Sequence, residues 1–256
     1  MEAQFVVLGL FVGLLVGMTG VGAGSLVTPA LVLSGVAPAV AVGTDLVYAA
    51  LSKTAGTLAH RSQRSVDLRI AGLLALGSVP AAGLTITAFA LSGAHANHSL
   101  VALALAFALV LTAVALLAGR ARIQHLARPY EDRIAAHRDG LTVAAGAALG
   151  VLVTVSSIGA GALGAVLLVA LYPSLPAVRV AGTDIAHAVP LAFAAGLGHL
   201  WLGNVDLALA ANLLAGSVPG IVAGSLVAGR LPELIVRRAL AFVLLCAGTR
   251  LAFAGF

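Results

Sequence analysis

A glycine-rich, hydroxyl-bearing stretch occurs twice in this chain, each time inside an apolar run. The first copy is Gly-Met-Thr-Gly-Val-Gly-Ala-Gly-Ser, Gly17 to Ser25, and the second is Thr-Val-Ser-Ser-Ile-Gly-Ala-Gly-Ala, Thr154 to Ala162. Glycine loses the most conformational freedom on becoming helical, so each copy is expected to break a helix. Each is followed by Gly-Thr-Asp, at Gly43-Thr44-Asp45 and at Gly182-Thr183-Asp184.

The apolar surroundings set the solvent. Of 256 residues 61% are hydrophobic and 9% charged, whereas soluble domains are about a quarter charged. The runs are long and unbroken, which favours helices over the short alternating strands of a barrel. The expectation is an all-α integral membrane protein, multi-pass in the plasma (inner) membrane. The net charge of +5 comes mostly from arginines between spans, so it bears on topology and no nucleic-acid partner is expected. Cys246 is the sole cysteine, which rules out an intrachain disulfide and a Cys-rich metal site. Met1 to Phe5 lacks a basic signal-peptide region, so the first apolar run is read as mature structure.

In chain order, Ala3–Thr19 and Ser25–Ser34 form a broken hairpin, neither piece reaching the roughly 20 residues of a full crossing. Crossings are expected at Pro38–His60, Ile70–Leu91 and Leu100–Ala118. A hydrophilic cytoplasmic linker spans 119–139. The pattern then restarts with a second hairpin (Leu141–Val155 and Ala162–Leu171) and three crossings, Ala177–Leu200, Val205–Gly229 and Ala239–Ala254. The restart is an internal repeat. Gly22 and Gly24 match Gly159 and Gly161, and Gly43-Thr44-Asp45, His60, Val66-Asp67-Leu68 and Ser78-Val79-Pro80 match Gly182-Thr183-Asp184, His199, Val205-Asp206-Leu207 and Ser217-Val218-Pro219. The domains are therefore a first repeat over 1–118, the linker over 119–139 and a second repeat over 140–256. Arginine-rich loops belong in the cytoplasm. Placing 61–69, the linker and 230–238 there inserts the halves with opposite orientation and leaves both termini outside. Inverted-topology repeats with broken helices at matching positions are the sequence pointer to a transporter's binding site.

The candidate substrate-binding residues follow from the breaks. Irregular backbone at membrane depth must face protein or a water-filled cavity, and a half-helix N-terminus favours an anion. Thr19, Gly20, Gly22, Gly24 and Ser25 in the first break, and Ser156, Ser157, Gly159 and Gly161 in the second, are therefore candidates, together with Thr44 and Thr183. Close helix packing is the structural alternative. Asp45 and Asp184 each lie roughly 7 residues into a span, about 10 Å along the axis. Carboxylates at that depth are costly and either functional or paired. With His187 on the helix face of Asp184, they are the candidates for proton coupling, the alternative being an interhelical hydrogen bond to the glycine loops. Lys53, the only lysine, could attract an anion or snorkel to the surface. Asp67 and Asp206 read as helix-start signals. His60, His199 and Arg179 read as residues of span ends. No metal-ligand spacing, nucleophile motif or phosphate loop is present, so no enzyme, metal site or cofactor is expected.

Taken together, Gly20-Val-Gly-Ala-Gly24 with Pro29, Ala41-Val-Gly-Thr-Asp45, Lys53 to His60, Ala181-Gly-Thr-Asp184, His187-Ala-Val-Pro190 and Gly196-Leu-Gly-His199 resemble the TauE/SafE family of sulfite exporters and anion permeases. The resemblance covers essentially the whole chain. It implies gradient-driven transport of a small inorganic or organic sulfur anion such as sulfite, thiosulfate or a sulfonate. The first loop reads Gly-Ala-Gly where many members have consecutive glycines. The lone Cys246 does not suit the cysteine pathway attributed to thiosulfate-transporting relatives. The expected function is proton-coupled alternating-access transport of such an anion, with membrane lipid as the surroundings and homo-oligomerisation left open. A passive anion channel, a cation or metal permease and an intramembrane enzyme are the competing classes.

Overall fold

The computed structural model describes residues 3–19, 24–62, 65–93, 98–227 and 233–253, and in these every regular element is helical. The order is α1 (Ala3–Thr19), α2 (Gly24–Leu33), α3 (Pro38–Ser62), α4 (Leu68–Ser92), α5 (His98–Ala127), a 3-10 turn at Arg128–Tyr130, α6 (Glu131–Ala136), α7 (Arg138–Ser156), α8 (Ala162–Leu171), α9 (Ala177–Trp201), α10 (Leu207–Val227) and α11 (Glu233–Phe253). Five helical stretches are long and apolar enough to cross a membrane: Leu68–Ser92, Ser99–Ala136, Arg138–Ser156, Ala177–Trp201 and Leu207–Gly224. Helix α3 has 25 residues, about 37 Å at 1.5 Å per residue, and is less apolar because it carries Asp45 and Lys53.

Local chemistry sets several ends. Asp67 caps α4 by accepting from the Ile70 amide at 3.2 Å. Asp206 does the same for α10 through the Leu209 amide at 2.9 Å. Both aspartates are the helix-start signals their sequence context suggested. Helix α7 begins at Arg138 rather than Leu141, and its 19 residues make it long enough to cross by itself. Its partner α8 has only 10. The hydrophilic segment 119–139 is largely helical. Helix α5 runs on to Ala127, interrupted only at Gly119, whose φ of 69° and ψ of 157° are non-helical. The residues that follow Gly119 are good helix formers, so polarity alone did not end the helix.

The first helix of each hairpin packs on the opposite half of the chain: α1 lies along α10, and α7 lies along α4. These contacts recur in register. A Cβ on Gly9 would strike the Leu213 backbone, and one on Gly146 would strike Leu74. Gly13 meets Ser217 as Gly150 meets Ser78, and Gly216 meets Val6 as Gly77 meets Val143. Each pair of contacts joins repeat-equivalent positions. Small residues here let helix backbones approach closely, the main source of helix affinity where water supplies none.

Contacts at the helix ends give the bundle two faces. At one, the end of α8 returns to the start of α7: Thr142 Oγ1 and Tyr172 Oη share a hydrogen bond of 2.9 Å, and the Arg138 guanidinium lies 5.3 Å from the Tyr172 ring centre. Arg179 and Asp67 join the starts of α9 and α4 at the same face, at 3.2 Å. At the other face, Gly43 near the start of α3 abuts the Asn204 carbonyl before α10. Ser34, just after α2, shares a surface pocket with Gln4 and Phe5 of α1. Each hairpin thus returns to the end of the bundle that it leaves.

These packing contacts predict a graded response to volume. Gly77→Val and Gly216→Val should each destabilise the detergent-solubilised protein by about 1–3 kcal/mol, the usual cost of overpacking. Gly72→Val and Gly83→Val, where a Cβ would meet nothing within 4 Å, should leave it nearly unchanged. Thermal unfolding of the four variants separates the two groups; equal effects would contradict the packing.

Candidate functional site

The second break is the better defined. Helix α7 ends at Ser157, which adopts the left-handed conformation with φ 58° and donates its amide to the Val153 carbonyl at 2.7 Å. Gly159 and Gly161 follow with φ of 130° and 134°, a region that side-chain-bearing residues rarely adopt. Ser156 is consumed by the turn itself. Its Oγ donates to the Leu152 carbonyl at 2.7 Å and accepts from the Ile158 amide at 3.1 Å. Ser157 Oγ is buried with no hydrogen bond from the protein, and it neighbours the Asp45 carboxyl group.

The break is met by residues from the other half of the chain. Lys53 reaches across from α3 and donates from Nζ to the Ala160 carbonyl at 2.9 Å. This satisfies an acceptor that the broken helix leaves exposed. The ammonium therefore points into the protein rather than snorkelling, and it lies within electrostatic reach of both Asp45 and Asp184. Those two aspartates are almost completely buried, at 0% and 2% exposure.

Each aspartate sits on the half-helix of its own hairpin. Asp45 Oδ2 accepts from Thr28 Oγ1 on α2. The Asp184 carboxyl group lies beside the Gly161 amide at the start of α8. Its Oδ1 lies against Gly164, where any Cβ would overlap it. A carboxylate at a helix N-terminus is favoured by the dipole, so the protein's own acids occupy the positive ends that the sequence assigned to substrate. One oxygen of each, Oδ1 of Asp45 and Oδ1 of Asp184, is buried and makes no hydrogen bond. His187 shares a 2.9 Å hydrogen bond from Nε2 with Ser78 Oγ, while its Nδ1 is buried without a partner. Groups left so in a low-dielectric interior are expensive, and several converge here.

The two threonines of the Gly-Thr-Asp motifs do something else. Thr44 Oγ1 accepts from the Asp206 amide at 3.0 Å, and Thr183 Oγ1 accepts from the Asp67 amide at 2.9 Å. Each pins the start of a helix in the opposite half. The motif thus sends its hydroxyl to one half and its carboxylate to the other. In the first break, Gly24 opens α2 and Ser25 is buried. Gly20, Gly22 and the Thr19 side chain lie outside the described residues, as does the side chain of His60. His199 is buried at the far end of α9, its Nε2 sharing a 2.8 Å hydrogen bond with the Thr154 carbonyl. This places it on α7, away from Lys53.

A cavity of about 210 Å³ reaches the cluster; Lys53, Gly161 and Asp184 line it together with Gly119, Arg120 and Arg237. At roughly 30 Å³ per water it has room for a small oxyanion with a few waters. Sequence reasoning missed Thr28, Gly164, Arg120 and Arg237. Thr28 had a usable signal, a hydroxyl one helical turn beyond Gly24 which, with Ser25, is set in an otherwise apolar half-helix, and Gly164 a weaker one, three residues beyond Gly161. The two arginines looked like ordinary linker and loop charges.

Comparison with known proteins agrees with this architecture. The model of the family described as sulfite exporter TauE/SafE matches residues 5–251. The chain is 37% identical over 255 residues to a probable membrane transporter protein, YjnA, of Bacillus subtilis (strain 168), covering 98% of this chain and 100% of that protein. No solved structure matches. With spans, hairpin and motifs in place over nearly the whole length, the chain is a multi-pass membrane protein that belongs to the TauE/SafE family of sulfite exporters.

Proposed function

We propose that this protein is a secondary transporter of a small sulfur-containing anion, sulfite, a sulfonate or a close analogue, and that it works by proton-coupled alternating access. The observation that carries the reading is the Lys53 ammonium on the Ala160 carbonyl, between two buried carboxylates and lining a cavity. The anion would bind at Lys53 and Ser157, in contact with the second break. The family description names a sulfite exporter, and the similar Bacillus protein is named as a probable membrane transporter; both suit a small anion as cargo.

Charge balance supplies the coupling. With Asp45, Asp184 and Lys53 all ionised, the cluster carries one net negative charge. A bound anion would add another in a medium where an unpaired charge costs several kcal/mol. Protonating one carboxylate offsets a monovalent anion, so loading of anion and uptake of protons go together. Asp45, Asp184 and His187 are the candidate carriers. A divalent metal as cargo is less well served: among the described residues no group of three His, Cys, Asp or Glu side chains converges.

The two-fold pattern of contacts suits an inverted repeat. Matching glycines and threonines each tie one half to the other. In the proposed cycle, one half rocks on the other about these seams and exposes Lys53 to each side in turn. The halves are residues 1–118 and 140–256, joined by 119–139.

Purified protein in liposomes tests the reading. An inward proton gradient should speed labelled sulfite uptake, and Lys53→Ala should cut kcat/KM by roughly 10–100-fold, the value of one or two charge-assisted hydrogen bonds. Uptake indifferent to the gradient would favour the passive channel. Asp184→Asn keeps the shape and removes the charge, so it should leave sulfite exchange measurable while flattening its dependence on pH. A pH profile identical to wild type in both Asp45→Asn and Asp184→Asn would remove these acids from the coupling.

A further inference from the structure

The cavity wall contains two arginines that the transport site does not use. Both stand where helix α5 is interrupted. At Gly119 the backbone leaves helical geometry, three residues after the Leu116 carbonyl. Arg237, from the start of α11, donates to that carbonyl through Nε at 3.2 Å and Nη2 at 2.7 Å. A Cβ at position 119 would come within 2.7 Å of Arg237 Nη2, so the glycine supplies both the conformation and the space. One residue further on, Arg120 donates to the Leu175 carbonyl and, at 3.4 Å, to that of Pro173, both in the corner between α8 and α9. Gln124, one turn along α5, donates to the Pro173 carbonyl at 2.7 Å.

Two features separate this arrangement from ordinary surface charge. Both arginines line the same cavity as Lys53 and Asp184. The described hydrogen bonds of Arg120 go to backbone carbonyls, which leave its full positive charge in place. Each guanidinium has five N–H donors, and Arg120 spends its described bonds through one nitrogen.

We propose that Arg120 and Arg237 form an anion-recruiting subsite at the mouth of the cavity, taking the small oxyanion before it passes to Lys53. The planar guanidinium fork suits the oxygens of a sulfite or sulfonate group. Cationic groups in a narrow, low-dielectric cleft raise the local concentration of an anion and its rate of arrival.

The proposal rests on the anion-transport reading, and the experiment separates the two. Sulfite uptake kinetics are measured in liposomes, from the face carrying Arg120, for wild type, Arg120→Gln, Arg120→Lys, Arg237→Gln and Arg237→Lys. Glutamine keeps a donor for the backbone carbonyls and loses the charge, whereas lysine keeps the charge. Each glutamine variant should raise KM roughly tenfold with kcat within about twofold of wild type, and each lysine variant should recover most of the loss. Wild-type KM should rise with ionic strength, less so in the glutamine variants. Glutamine variants with wild-type KM, or lysine variants as impaired as glutamine, would reduce the arginines to structural ties and overturn the proposal. Where a variant does not fold, the wild type decides, since a KM unchanged between low and high salt overturns it too. A wild type that moves no oxyanion at all overturns the transport reading itself.

Discussion

A helix broken inside a membrane has to be enclosed, because no water is present to bond the N–H and C=O groups it frees. The arrangement around the second break follows from that constraint. Ser156 closes the turn internally, Lys53 bonds the Ala160 carbonyl from across the chain, and the Gly161 amide meets Asp184. Each solution brings a polar or charged side chain into the core. The core then holds a lysine and two carboxylates in mutual reach.

The same constraint accounts for the interlocked halves. Asp45 and Asp184 serve the half-helices of their own hairpins, while Thr44 and Thr183, one residue earlier, hold helix starts in the opposite half. A three-residue motif therefore couples the break to the seam on which the halves would move. The glycine contacts of α1 with α10 and of α7 with α4 make that seam flat and close. The bonds of Thr44 and Thr183 would act as pivots within it.

Much of the fold was legible in the sequence, for identifiable reasons. Four of the six expected crossings, Ile70–Leu91, Leu100–Ala118, Ala177–Leu200 and Val205–Gly229, coincide with helices long and apolar enough to span, whereas Pro38–His60 and Ala239–Ala254 form helices outside that set. The caps at Asp67 and Asp206 were readable from their context. Lys53 and the two aspartates stood out because charge is rare in such a chain. What escaped depended on three-dimensional placement. Polarity made 119–139 read as a linker, yet most of it is helical in short pieces, and the two arginines that line one cavity come from segments far apart in sequence. Thr44 and Thr183 have the chemistry of ligands, and only the fold shows their hydroxyls spent on amides. Thr28 and Gly164 matter through what they touch, a hydroxyl on one carboxylate and an empty space beside the other, and neither property is visible without the partner.

The central claim is that a single small oxyanion binds at Lys53, where the break of one half meets α3 of the other. Selenite is a chemical analogue of sulfite with a strong anomalous X-ray signal, so crystals soaked in it locate the anion directly. The account predicts one selenium peak within hydrogen-bonding reach of Lys53 Nζ and Ser157 Oγ, about 3 Å for each selenite oxygen, absent in Lys53→Ala. A peak confined to another part of the molecule, or one that persists in Lys53→Ala, would contradict it.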